Sequence, residues 1–441
     1  MKDFFSSIIE KIIYFNDEIL WGYIGFWLIF LSIIYLTVKS NFLQLSQFRK
    51  IIKYFIASSK ENKTGEPGTS SLKVFFASLS GCIGIGNLAT VAVAIKVGGP
   101  GALFWVCVVS FFGSIIKYGE IFLGLKYRIP NGRQGYEGGP MYYLGKAFPK
   151  LPILATLSAL FLCVYGTDIY MFSVIKTSIV SNFSFPDTAV VLGLLVLVVI
   201  SVVGGIHRVG FVATVFLPVF MVLYTGMSLW VFIENSAAFS SLLKTVIISA
   251  FSGHAAVGGF AGSTVLLTIS KGLSSAAYAS DLGTGLASVL QTEVSSNEKQ
   301  QQAGLSVLVV FLNTFVVCLC SMLLVLVTGV WTLPITDGGL LIQEALTRSF
   351  SNLNYFMPFF LFAVGYPSLI SSLLVGVKAA RFIHPYWGDR VYYIYATTVF
   401  IFFSYFDSYY ALIFLTLAAG FLNVMNIFGI LKLRKEIDFT L

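Results

Sequence analysis

Eleven apolar stretches run through this chain, near residues 19–38, 74–95, 101–125, 152–175, 188–206, 211–233, 246–270, 304–330, 353–377, 391–406 and 409–431. A helix of about 20 apolar residues crosses the hydrocarbon core of a bilayer, and these runs are roughly 16–27 residues long. Backbone groups in lipid must bond within their own segment, so the runs are read as helices. A barrel would need short alternating segments, which are absent. Charge supports the same class. Only 11% of the 441 residues are charged, against roughly 25% in an ordinary soluble domain. A soluble enzyme, a disordered chain and a secreted disulfide scaffold are excluded. Cys82, Cys107, Cys163, Cys318 and Cys320 all lie in apolar runs without metal-ligand spacing, and read as packing residues. Residues 1–18 show amphipathic helical spacing suited to the membrane interface, with no cleavable signal peptide.

The net charge of +8 is read as topology. Basic residues collect in alternate loops: seven from Lys39 to Lys73, five from Lys126 to Lys150, then Arg208, then Lys271 and Lys299, then Lys378, Arg381 and Arg390, then Lys432, Arg434 and Lys435. The intervening set holds Lys2, Lys11, Lys96, Lys176, Lys244 and Arg348. Basic residues mark the cytoplasmic side. The N-terminus is therefore expected outside and the C-terminus in the cytoplasm of a multi-pass protein of the plasma membrane, a bacterial inner membrane. Nucleic acid is not an expected partner. The lipid bilayer is, and the protein is expected to be a monomer.

Two spans carry glycine and polar residues at their centres. The second reads Ser78-Leu79-Ser80-Gly81-Cys82-Ile83-Gly84-Ile85-Gly86-Asn87. The seventh reads Ser252-Gly253-His254-Ala255-Ala256-Val257-Gly258-Gly259-Phe260-Ala261-Gly262-Ser263. Glycine weakens helix there, and non-helical backbone at membrane depth is tolerated where it lines a cavity or is buried in protein. Freed carbonyls suit a cation, and half-helix N-termini suit an anionic group. Close packing of helices through small residues is the alternative for either cluster alone. Two clusters five spans apart favour interrupted helices at matching positions of two five-helix halves. The fold expected is thus all-α and membrane-integral: one N-terminal helix plus a 5+5 inverted-repeat core whose first and sixth helices are discontinuous. Its boundaries are an N-terminal segment over 1–73, repeats over 74–233 and 234–431, and a tail over 432–441. Gly84-x-Gly86-x-x-Ala89 also matches a dinucleotide fingerprint, but it lies inside an apolar span rather than at a strand-to-helix turn.

Charged residues inside spans are costly, at least about 2.5 kcal/mol for a lone Asp at the bilayer centre. Lys117 and Glu120 stand at i, i+3 on the third span and can pair as a gating or structural unit. Asp168, mid-span on the fourth, must face a cavity, a cation or a donor. It reads either as a cation or amine contact or as a hydrogen-bonded structural acid. His254 either carries protons or is a hydrogen-bonded interior histidine. Tyr170, Phe172 and Phe260 can wall a pocket, or can be packing aromatics. Residues 271–302 read as a polar loop with a short helix. No hydrolase triad, zinc cluster or phosphate-binding loop is present, so an enzyme is not expected.

The chain resembles the alanine or glycine:cation symporter family. The resemblance rests on Gly84-Ile85-Gly86-Asn87-Leu88-Ala89, Gly98-Gly99-Pro100-Gly101-Ala102-Leu103-Phe104-Trp105, Lys117-Tyr118-Gly119-Glu120, Gly138-Gly139-Pro140-Met141-Tyr142-Tyr143, Gly204-Gly205-Ile206, Gly258-Gly259-Phe260-Ala261-Gly262 and Leu326-Val327-Thr328-Gly329, in that order. It implies eleven spans with a leucine-transporter-type core, and a small neutral amino acid such as alanine or glycine held between the breaks with sodium beside it. Gly84, Ile85 and Gly86 would present backbone to the substrate carboxylate, opposite Gly258 and Gly259. Asn87 and the Cys82 carbonyl would hold one sodium, with Asn313 where the family usually has Asp. The Ser80 and Ile83 carbonyls with Ser368 would frame a second. Departures stand at Ile85 (usually Thr), at Tyr170 and Phe172 (usually polar), at Ser275 (usually Arg) and at Asp281 (usually Glu), and Ser372 lies near an expected Trp. The expectation is a sodium-coupled importer working by alternating access, with sodium as coupling ion and no cofactor. A proton-coupled or altered-substrate carrier is the alternative within the class, and a sensor or a channel the alternative outside it.

Overall fold

The computed structural model describes residues 9–60, 68–132, 135–252, 265–335, 338–406 and 408–441. These residues form helices α1 (Ile9–Lys39), α2 (Phe48–Lys60), α3 (Ser71–Cys82), α4 (Ile85–Gly98), α5 (Ala102–Lys126), α6 (Pro140–Ala147), α7 (Ile153–Gly166), α8 (Ile169–Phe183), α9 (Asp187–Val203) and α10 (Gly205–Glu234). After these come α11 (Ser236–Ser252), α12 (Val265–Ala279), α13 (Leu286–Gln291), α14 (Lys299–Val327), α15 (Gly338–Thr347), α16 (Leu353–Ile383), α17 (Gly388–Tyr405) and α18 (Ser408–Lys432). A two-residue hairpin pairs Ile129–Pro130 with Tyr136–Glu137. Among the described residues, seven helices are long and apolar enough to cross a membrane, or eight when the bent pair α3–α4 is one span.

Lipid offers helices no hydrophobic reason to associate, so small residues that let backbones approach carry the packing. At the α7–α16 crossing, a Cβ on Gly166 would lie 2.7 Å from the Ser372 carbonyl oxygen and 2.9 Å from the Gly376 nitrogen. Only glycine fits there without separating the helices. The long helices α5, α14 and α16 form the centre, and α9 and α10 turn rows of Val, Ile, Leu and Phe outward.

The basic loops meet at one end of the bundle. Thr69 N–H donates to the Glu293 carbonyl at 2.8 Å, and Arg128 Nη1 donates to the Val294 carbonyl at 2.7 Å. Lys126 pairs with Glu436 at 2.6 Å, and Lys378 with Glu293 at 2.7 Å. Loops distant in sequence, which the charge pattern puts on one side, thus share one face. Lys176, of the other set, pairs with Asp187 at 3.3 Å and with the Ser404 carbonyl.

The reading of 271–302 needs correction. Residues 271–279 continue α12, and Leu286, Ala287, Val289 and Leu290 of α13 are fully buried. Up to Val294 the segment is polar because its small and polar side chains serve a buried turn against α3 and α5; the expected short helix is α13, and 295–301 reach the surface.

Candidate functional site

The second span breaks where its glycines predict. Helix α3 ends at Cys82, Ile83 and Gly84 are extended (φ −93° and −141°), and α4 restarts at Ile85 with its axis turned by 43°. The break frees carbonyls at the end of α3 and leaves the first N–H groups of α4 without intrahelical partners. A Cβ on Gly84 would sit 2.5 Å from Met171 Cε and 3.0 Å from Ser368 Oγ, so the turn lies directly beneath those two side chains.

The fourth span is also interrupted, where the sequence was read as continuous. Helix α7 stops at Gly166, and α8 starts at Ile169 with Asp168 as its N-cap. The Asp168 carboxylate accepts the Met171 N–H at 3.1 Å, and Thr167 Oγ1 donates back to the Cys163 carbonyl at 2.8 Å. An Asp at an N-cap satisfies an orphan donor, which answers part of what holds this acid at membrane depth.

These breaks enclose a cavity lined by Gly81, Cys82, Gly84, Gly86, Asn87, Tyr165, Asp168, Tyr170, Met171, Tyr278, Asp281, Ser368, Ser372 and Leu415. It holds about 30 Å³, room for roughly two waters. Anything larger than a few waters enters only when these walls separate.

Beside the cavity lies a knot of oxygens. Asn87 Nδ2 faces the Cys82 carbonyl, the Ala279 carbonyl at 2.5 Å and Asn313 Oδ1 at 3.2 Å. Asn313 Nδ2 donates to the same Ala279 carbonyl at 2.8 Å. Asn313 opens a π-helical stretch over Asn313–Cys318 inside α14, a distortion that frequently marks functional positions. One amide has two hydrogens and here meets three acceptors.

Behind the break, Lys117 is completely buried. Its ammonium reaches Cys82 Sγ at 2.8 Å, the Ser280 carbonyl at 2.9 Å, the Asp281 carbonyl at 3.2 Å and Asp281 Oδ2 at 3.4 Å. Asp281 Oδ1 also accepts from Tyr165 at 3.4 Å and from Thr284. The expected Lys117–Glu120 pair is therefore corrected. Lys117 turns across to the Ser280–Asp281 segment, which offers three acceptors, and to Cys82 Sγ on α3, while Glu120 Oε2 accepts the Gly285 N–H at 3.2 Å.

The site residues read from the sequence divide as follows. Gly84, Gly86, Cys82, Asn87, Asp168, Tyr170 and Ser368 come together on the cavity, and Asn313 joins Asn87. Ile85 turns its side chain away, since a Cβ on Gly365 would lie 3.0 Å from Ile85 Cδ1. Ile83 is buried at the turn. Ser80 Oγ donates to the Ala77 carbonyl and meets Ser371 Oγ at 2.7 Å. Phe172 is not a wall. It is fully buried, stacks on Phe400 with ring centroids 4.7 Å apart, and is absent from the cavity lining. His254, Gly258, Gly259 and Phe260 lie outside the described residues. Tyr165, Met171, Tyr278, Ser372, Leu415 and the Ala279 carbonyl were not anticipated as site atoms. Tyr165 and Met171 flank Asp168 at helical spacing, a usable signal, whereas nothing local marks Leu415 or a backbone carbonyl.

Comparison with known proteins bears on what this site does. The family model described as "Sodium:alanine symporter family" matches residues 6–440. An uncharacterized transporter of Haemophilus influenzae is 29% identical over 344 residues, covering 77% of this chain and 75% of that protein. The sodium/alanine symporter AgcS of Methanococcus maripaludis is 28% identical over 341 residues, covering 76% of this chain and 73% of that protein. Among solved structures, a manganese transporter of Eremococcus coleocola shares the fold with a TM-score of 0.52 at 14% identity, over 87% of this chain and 77% of that one.

Proposed function

The chain belongs to the sodium:alanine symporter family, and from that membership we propose that it imports a small neutral amino acid of the alanine or glycine kind, coupled to sodium, by alternating access. The observation that carries the reading is the over-subscribed Asn87 amide. Turned over, the amide presents Oδ1 instead, and four oxygens converge: Asn87 Oδ1, Asn313 Oδ1 and the carbonyls of Cys82 and Ala279. Amide orientation is set by its partners, and a cation at this point is the partner that favours the turned form. The Ser80 and Ile83 carbonyls with Ser368 remain the proposed frame of a second sodium.

The substrate carboxylate fits the N–H groups at the start of α4, that of Gly86 and that of Ile85, which here makes only a weak 3.5 Å bond to Met171 Sδ, where the helix dipole favours negative charge. The amine fits Asp168 across the cavity. A zwitterion, the first sodium and the Asp168 carboxylate sum to zero charge, and the second sodium adds a positive charge that must be balanced elsewhere in the bundle. Tyr165, Tyr170, Tyr278 and Met171 limit the side chain to a small one. Sodium draws the α3–α4 break toward the end of α12, ordering the substrate's wall, so each ligand raises the other's affinity.

The proposal includes eleven spans, repeats over 74–233 and 234–431, an outside N-terminus, a cytoplasmic C-terminus, a bacterial inner membrane and a monomer. The gathering of basic loops at one end supports the orientation. A thermal-shift screen of amino acids with and without sodium tests the function. Ligand at a hundred times its Kd stabilises by about 2.7 kcal/mol. Stabilisation by alanine or glycine that needs sodium is expected. Equal stabilisation and uptake in choline would refute sodium coupling.

A further inference from the structure

Lys117, Asp281 and Glu120 are all buried, with relative exposures of 0%, 2% and 0%. One positive and two negative groups leave a net charge of −1 inside the bundle. Lys117 spends its charge on Asp281 and on the carbonyls of Ser280 and Asp281. The Glu120 carboxylate faces the backbone N–H groups of Gly285, which donates to Oε2 at 3.2 Å, and of Gly283, and it lies within reach of the Lys117 charge without pairing to it, while its Oε1 has no close hydrogen-bond partner. A second, independent feature surrounds it. The Tyr143 hydroxyl, Asn423 Oδ1 and both side-chain polar atoms of Asn426 are buried without partners. Tyr143 feels the Glu120 charge. A Cβ on Gly285 would lie 2.8 Å from Asn426 Nδ2, and one on Gly283 2.9 Å from Asn423 Nδ2. Helices α5, α6 and α18 and the turn after α12 thus bring unpaired polar groups to one place beside an unbalanced acid.

We infer that Glu120 is a proton-binding site and that sodium binding at the Asn87 oxygens releases its proton, an inference whose sodium half rests on the function proposed above. A proton removes the unbalanced charge and turns Oε1 from a stranded acceptor into a group that can also donate, among neighbours whose polar atoms are themselves unpaired. The turn Ser280–Gly285 links the two sites. Asp281, Gly283 and Gly285 have φ of 51°, 79° and 87°, so it is a tight left-handed turn with little slack. Its start carries the Ala279 carbonyl of the oxygen knot and the Ser280 carbonyl that Lys117 holds. Its end carries the Gly285 N–H that Glu120 holds. A positive charge at one end lowers the need for one at the other, and linkage is reciprocal. Among the described residues, the titratable groups around Glu120 are Lys117 on its own helix, Asp281 on the turn, Tyr143 on α6 and Cys82, which Lys117 engages.

The experiment adds sodium chloride to the purified full-length protein in weak buffer with a pH dye, between about pH 5 and 9. Sodium occupancy is followed in parallel by thermal shift. Release approaching one proton per protein is expected in the wild type, with near-complete loss in Glu120→Gln and a sodium affinity that no longer varies with pH. Equal release in Glu120→Gln, or none from wild type while sodium binds, overturns the inference. A Glu120→Gln variant with fewer bound sodium ions and a wild type flat in pH would show that sodium itself balances the acid, and also overturns it. Should that variant not fold, infrared difference spectra of the wild type decide, with Asp168→Asn to assign the other cavity acid. A carboxylic-acid band lost on adding sodium supports the proposal, and its persistence refutes it. If sodium binds nowhere, the function reading fails separately, and the same band in sodium-free protein, present or absent, still decides whether Glu120 holds a proton.

Discussion

Replacing Asn87 by alanine isolates the proposed cation site. The side chain contributes one of the four converging oxygens and otherwise bridges the Cys82 and Ala279 carbonyls, 197 residues apart in sequence, through contacts buried on both sides. Its removal takes a ligand from the ion and a contact from the Cys82 carbonyl, while the Ala279 carbonyl keeps its bond from Asn313 Nδ2. A contact to a charged partner contributes about 1.5–3 kcal/mol, so losing this ligand should lower apparent sodium affinity roughly 10–150-fold. The consequence for stability can be worked through. At a sodium concentration of about 100 times the wild-type Kd, sodium stabilises the wild type by about 2.7 kcal/mol. With Kd raised about 100-fold, the same concentration gives only about 0.4 kcal/mol. Sodium-dependent thermal stabilisation should therefore nearly vanish at a concentration that saturates the wild type and partly return at much higher sodium. Uptake of labelled alanine into proteoliposomes should fail at ordinary sodium in parallel. A sodium titration within twofold of wild type would refute the placement of the ion at Asn87, whatever became of uptake.

Lys117→Met should destabilise the protein by about 3–5 kcal/mol, because it strands Asp281 in a buried environment, whereas Lys117→Met with Asp281→Leu should recover most of that loss; unfolding midpoints in detergent compare the three. Gly84→Ala places a methyl 2.5 Å from Met171 Cε and 3.0 Å from Ser368 Oγ, and overpacking costs about 1–3 kcal/mol. KM should rise more for alanine than for glycine, and an equal rise would mean that the substrate lies elsewhere. At the surface, bonds from Lys126 and Tyr127 hold the Glu436 carboxyl below its ordinary 4.5. A depressed carboxyl stabilises above its unfolded pKa and loses that effect as pH falls through the folded value. The tail contact should loosen as pH drops below about 4.5, with faster amide exchange over 433–441, and Lys126→Gln should weaken the pH dependence. The pair is partly solvated, so the effect is small.

Much of the site's scaffold was legible because one chemical rule dominates at membrane depth. Backbone leaves the helix there only with a reason, and Gly81, Gly84 and Gly86 mark the place without help from the rest of the chain. The second interruption, at Thr167–Asp168, was missed although it has a local signature. Asp168 was weighed as a costly charge in a continuous helix. Its ability to cap the next helix through Met171 N–H, which makes the interruption cheap, was left out. Phe172 was misplaced for a different reason. Four residues past Asp168 lies close to the same face, but Asp168 sits at the cap, on the cavity, while Phe172 a turn further along is taken up by Phe400.

The fate of Lys117 marks the limit of reading along one helix. An i, i+3 spacing to Glu120 identifies a partner that is always near, and for an exposed pair that would be enough, because little energy separates the alternatives. A buried ammonium is different. It needs all three of its donors satisfied, and one carboxylate on its own helix cannot do that. The turn after α12 can, since left-handed residues at Asp281 and Gly283 aim two carbonyls and a carboxylate at a single point. Desolvation therefore selects the partner with more acceptors over the partner that is closer in sequence. The acid left behind, Glu120, is the direct consequence of that choice: its lack of a paired counter-charge follows from where Lys117 went, and that is the ground on which a proton is proposed there.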